Sequence, residues 1–110
     1  VKDLMYIDDF IDGFLLAAEK INTCDPINLA TGVPVTTLDV LNAALNVDRY
    51  QGAHVTFNAS KPTMIPKRLI DTHRASELLG FRARVSLPEG IAKTVSWYRE
   101  SLRKKNKEAL

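Results

Sequence analysis

Three cations and two prolines sit within eight residues at Lys61-Pro62-Thr63-Met64-Ile65-Pro66-Lys67-Arg68. Prolines restrict the loop, so it loses less entropy when it closes on a ligand. Fixed positive charges on a stiff loop suit an anion, above all a phosphate. Lys2, at the start of the chain, is a further cation on an extended stretch. Other residues with chemical potential read as structural. Asp8 and Asp9 are adjacent, so their carboxylates do not converge on one point, and they read as helix-capping acids. His54 falls in a strand-like stretch and His73 near a helix start; both read as surface histidines. Cys24 is the single cysteine and has no intrachain disulfide partner. No clustered Cys and His suggest a structural metal.

The elements that must position these residues follow from periodicity. Residues 2–7 read as a short strand. Phe10, Ile11, Phe14, Leu15, Ala18 and Ile21 recur at three- and four-residue spacing and predict a helix of about 13 residues. Residues 27–30 read as a second strand and 31–34 as a turn. Thr36 and Asp39 predict a capping box. It opens a helix whose apolar face is Leu38, Val40, Leu41, Ala44 and Leu45. Residues 54–57 alternate like a strand, and Leu69-Ile70 reads as a brief fourth. Asp71 or Thr72 is expected to cap a helix that Gly80 stops. Ser86-Leu87-Pro88-Glu89 is a second capping signal, with proline in the first turn. The last helix carries Ile91, Val95, Tyr98 and Leu102 on one stripe, with Trp97 and Tyr98 expected as packing residues. Its end, Arg103-Lys104-Lys105, reads as a solvated cationic tail suited to the helix dipole.

Together these predict a small mixed α/β unit over residues 1–110, about four helices packed with three or four short strands. The 110 residues carry a net charge of +2, with 45% hydrophobic and 25% charged residues. That balance gives no electrostatic signature of a nucleic-acid binder. No run approaches a membrane span, and no signal peptide is visible. A cytoplasmic, reducing compartment is the expectation. The strands are too few for a large sheet, so the chain reads as a fragment of a larger fold.

The order of motifs resembles the C-terminal part of the extended short-chain dehydrogenase/reductase family, the NAD(P)-dependent nucleotide-sugar epimerases, dehydratases and reductases. Lys2-Asp3-Leu4-Met5-Tyr6-Ile7-Asp8-Asp9 resembles R-x-F-x-Y-V-D-D. Ile27-Asn28-Leu29-Ala30-Thr31-Gly32 resembles Y-N-I-G-S-G. Lys61 to Asp71 resembles the K-P-D-G-x-P-R-K-L-L-D of GDP-fucose synthase-like members, with Thr63-Met64 in place of Asp-Gly and the basic pair inverted. Residues 75–81 and 85–98 resemble the closing S-K-A-x-x-L-L-G-W and S-L-E-E-G-L-x-x-T-V-x-W-Y.

The resemblance implies that Lys2, Lys61, Lys67 and Arg68 face the diphosphate of a GDP- or UDP-sugar. It implies NAD(P) for a full-length parent. It implies no catalytic or cofactor residues in this chain, because the Gly-rich cofactor turn and the Y-x-x-x-K pair are missing. Tyr6, Tyr50 and Tyr98 are followed four positions later by Phe10, His54 and Leu102. The chain is thus expected to bind nucleotide sugar without being catalytic alone. The alternatives are a free-standing diphosphate-binding module, or a remnant that forms dimers or larger species through exposed apolar faces.

Overall fold

A computed structural model describes residues 1–62 and 65–109. The Thr63-Met64 departure lies outside the described residues. Four helices are found among them: α1 (Ile7–Lys20), α2 (Thr37–Asp48), α3 (His73–Leu79) and α4 (Leu87–Glu108).

The helix ends follow their local chemistry. Thr36 Oγ1 accepts the Asp39 amide at 3.0 Å, and the Asp39 carboxylate accepts the Thr36 amide at 2.9 Å, completing the capping box of α2. Asp71, rather than Thr72, caps α3 by accepting the His73 amide at 2.9 Å. Gly80 ends α3 in the left-handed region at φ 64°, where a side chain would be strained. Ser86 caps α4, and Pro88 stands in its first turn.

The expected strands are not found among the described residues. The one pairing is an isolated antiparallel bridge, Lys2 to Val35, with N···O distances of 2.7 and 2.8 Å. A strand is stable only when a neighbour takes its N–H and C=O groups. Residues 27–30 and 54–57 make no backbone–backbone hydrogen bond among the described residues, and residues 54–57 are exposed. These segments have strand-forming side chains and no ladder to join.

The buried core is small. Ala75, Leu79 and Phe81 are buried, and Leu16, Ile21, Ile27 and Leu29 pack against them. This joins α1 to α3. Gly13 permits the close approach: a Cβ there would lie 2.9 Å from both methyl groups of Leu29 and 3.0 Å from the Phe81 ring. A second contact joins α2 to α4, where Arg99 pairs with Asp48 on the surface.

Trp97 and Tyr98 do not pack as expected. Trp97 is 66% exposed, and Tyr98 is also exposed. Their side of α4 has no further layer to cover it. The radius of gyration is 17.6 Å, against about 13 Å for a compact chain of this length. Much of the apolar surface therefore stands open, including Ile7, Phe10, Ile11, Phe14 and Leu15 along α1.

Candidate functional site

The Lys2–Val35 bridge sets the first wall of a groove of about 890 Å³. The start of α2 and the loop around Pro66 supply the others. The loop is tied down by main-chain bonds: the Arg68 amide donates to Val1 O at 2.8 Å, and the Val1 amine donates to Pro66 O at 2.6 Å. Lys2 and Arg68 therefore come to line one groove, although 66 positions separate them (68 less 2).

Lys61 and Lys67 are exposed and do not line it. Of the four candidate cations, all exposed, two line the groove and two do not.

Two acids near the groove are already engaged. Asp3 accepts the Thr31 amide at 2.9 Å, the Thr31 hydroxyl at 2.6 Å and the Gly32 amide at 2.7 Å. Those bonds shape the 31–33 turn and spread the carboxylate's charge. The backbone and hydroxyl of Thr36 hold the Asp39 carboxyl below its ordinary pKa. Asp39 is thereby kept as a fixed anion at the N-terminus of α2, satisfying a terminus that would otherwise attract a phosphate.

Sequence reasoning missed the role of Asp3 and misassigned Asp9. Asp9 is only 3% exposed. Its carboxylate accepts the Arg84 amide at 3.2 Å and the Val85 amide at 3.0 Å. It is a tether between α1 and the connection into α4, rather than a solvated cap. No spacing rule reveals partners so far apart in sequence. The one available hint was that the extended 81–85 connection needed acceptors for its amides.

The remaining candidates lie on the surface. His73 pairs with Glu77 one turn on, at 3.0 Å on the surface. His54 and Cys24 are exposed. No group of three His, Cys, Asp or Glu side chains able to hold a metal is found among the described residues. None of their helices is long and apolar enough to cross a membrane.

The helix starts do not fit a dinucleotide. Tyr6 precedes α1 without a glycine turn. Asp39 occupies the start of α2, and Asp71 that of α3. The Thr31 and Gly32 amides, which could have cradled a pyrophosphate, are bonded to Asp3.

Two further concavities are mainly apolar. One, of about 500 Å³, lies between residues 4–7 and α4, with Trp97 in its lining. The other, of about 580 Å³, is a trough between α1 and residues 27–29.

Among the described residues, four helices and extended segments without a sheet of their own describe part of a larger fold. The chain is similar over most of its length to the C-terminal part of extended short-chain dehydrogenases/reductases. It is 31% identical over 105 residues to UDP-glucose 4-epimerase of Mycolicibacterium smegmatis, matching 89% of this chain and 31% of that protein. It is 26% identical over 102 residues to probable GDP-L-fucose synthase 1 of rice, Oryza sativa, matching 93% and 30%. The crystal structure of UDP-glucose 4-epimerase from Thermotoga maritima, solved with UDP-glucose, superposes with a TM-score of 0.79 at 30% identity. That match covers 91% of this chain and 32% of the epimerase. No protein-family model matches the chain. The chain therefore spans about a third of the length of the curated relatives it matches.

Proposed function

We propose that this chain supplies the diphosphate-holding part of a nucleotide-sugar site and is not catalytic by itself. The observation that carries the reading is the placement of Lys2 and Arg68 in one groove. Arg68 offers a planar fork to phosphate oxygens, and Lys2 a movable point charge. The Arg68 amide, bonded to Val1 O at 2.8 Å, ties the loop beside Lys2. Lys61 and Lys67 act at longer range, by drawing the anion toward the surface.

The reaction class is epimerisation, dehydration or reduction of the sugar. NAD(P) and the acid–base tyrosine would come from a cofactor-binding unit outside these residues. A GDP- or UDP-sugar is the ligand class. The K-P-x-x-x-P loop leans toward GDP, whereas the matches include both kinds of enzyme.

Titrating the ¹⁵N-labelled chain with GDP-fucose and UDP-glucose tests the reading. Shifts at Lys2, Val35 and Arg68 are expected, and Arg68→Ala should weaken binding about tenfold or more. The absence of shifts at those residues with either nucleotide sugar would overturn it. A free-standing diphosphate module is the second reading, resting on the same pairing of Lys2 and Arg68 in one groove. It predicts that inorganic pyrophosphate binds as well as a nucleotide sugar.

A further inference from the structure

The groove that holds Lys2 and Arg68 also has a carboxylate in its lining, that of Asp3. A free anion there would repel a phosphate. The side chain is instead committed to the backbone. Oδ1 accepts the Thr31 amide at 2.9 Å and the Thr31 hydroxyl at 2.6 Å, and Oδ2 accepts the Gly32 amide at 2.7 Å. Thr31 Oγ1 in turn accepts the Val33 amide at 3.0 Å. Three consecutive amides of the turn are therefore anchored by one carboxylate and its hydroxyl partner. Hydrogen bonds to an ionised acceptor are about twice as strong as neutral ones.

The anchored turn connects the walls of the groove. Two residues beyond it, Val35 exchanges both bridge bonds with Lys2, at 2.7 and 2.8 Å. Thr36, next in the chain, caps α2. The turn also meets the segment that follows Arg68. Gly32 stands at φ 75°, and a Cβ there would lie 3.3 Å from the Thr72 methyl. Arg68 is joined to the first wall by its amide, which donates to Val1 O at 2.8 Å. Asp3 is thus next to Lys2 in sequence and, through the turn, in touch with the segment that carries Arg68.

We propose that Asp3 is a positioning residue. It fixes the 31–33 turn, and through the turn it sets the separation at which Lys2 and Arg68 face one ligand. That the ligand is a diphosphate rests on the function proposed above, whereas the anchoring of the groove does not.

Two opposite signs separate this role from a role of charge. If Asp3 acted through its charge, removing that charge would tighten the binding of an anion. If it acts by position, the same change loosens binding. Asp3→Asn removes the charge and sets an N–H donor against a main-chain donor of the turn.

Amide hydrogen exchange is measured on the ¹⁵N-labelled full chain and on Asp3→Asn and Thr31→Val. Each is then titrated with GDP-fucose and UDP-glucose. In Asp3→Asn, exchange at Gly32, Val35 and Arg68 should quicken by about tenfold, the worth of one charge-assisted hydrogen bond. Leu79 and Phe81, in the α1–α3 core, should keep their rates. Affinity should fall by about tenfold. Thr31→Val leaves the charge of the chain unchanged and loses the hydroxyl bond, so it should move both readings in the same direction by less. It carries the test if Asp3→Asn does not fold. Unchanged exchange at Val35 and Arg68 would overturn the proposal, and so would tighter binding to Asp3→Asn. If neither nucleotide sugar shifts Arg68 in the unaltered chain, the diphosphate reading is removed. Quickened exchange in the variants would then still support Asp3 as the residue that positions the groove.

Discussion

The Asp9 carboxylate accepts the Val85 amide at 3.0 Å, linking positions 76 residues apart. With the Arg84 amide also bonded to it, this one buried side chain fixes the start of α1 against the segment that launches α4. Replacing it leaves two amides without an acceptor in a part-buried place. Asp9→Ala should therefore cost about 2–3 kcal/mol of stability. Urea unfolding followed by circular dichroism checks this, with Asp8→Ala, an exposed neighbour, expected to change little.

Gly13 makes the opposite kind of prediction. Alanine is the better helix former by about 1 kcal/mol. Yet a Cβ at Gly13 would meet Leu29 at 2.9 Å and Phe81 at 3.0 Å. Gly13→Ala is expected to lower stability by about 1–3 kcal/mol through overpacking. An increase in thermal midpoint would show that the contact relaxes without cost.

Stability should also depend on pH through Asp39. Its bonds to Thr36 lower its folded-state pKa below the unfolded value. The contribution is therefore complete above the ordinary carboxylate pKa and is lost as pH falls through the depressed one. Thr36→Ala should remove about 1 kcal/mol at neutral pH. It should also flatten the acid limb of the profile, read as urea midpoint against pH.

The Arg99–Asp48 pair is expected to matter little. Both side chains are about half exposed, at 54% and 40%. Asp48→Asn should shift stability by less than about 1 kcal/mol. A larger loss would mean that the α2–α4 contact depends on this pair.

Nucleotide-sugar binding should weaken with salt, since charge attraction at an open groove is screened over roughly 8 Å at physiological ionic strength. Arg68→Lys keeps the charge and removes the fork. Binding to that variant should fall between wild type and Arg68→Ala. Lys61→Ala and Lys67→Ala should change affinity less than either. Isothermal titration at two salt concentrations separates these outcomes.

What was legible in the sequence is what depends on near neighbours. The capping box at Thr36 and Asp39, the stop at Gly80 and the start at Ser86 are local interactions and were found as expected. The strands were misread because a strand is a property of a pair. Ile27-Asn28-Leu29-Ala30 has the composition of one and lacks a neighbour to make it so. Trp97 and Tyr98 were expected as packing residues, Tyr98 from its place on the apolar stripe of the last helix, yet both are exposed. At the candidate site, the cationic loop could be seen, but its division could not. Whether Lys61 or Arg68 faces the groove depends on the bonds from Val1 to Pro66 and Arg68.

The open position of Trp97 has a practical consequence. It is the only tryptophan in the chain. It sits in the lining of the apolar cavity beside residues 4–7, which meets the cationic groove at Leu4 and shares no lining residue with the α1 trough. Its indole fluorescence is therefore a built-in reporter for that cavity. A blue shift on adding any partner would mean that water has left the cavity. A steady red emission on adding a nucleotide sugar would show that the cavity stays open to water.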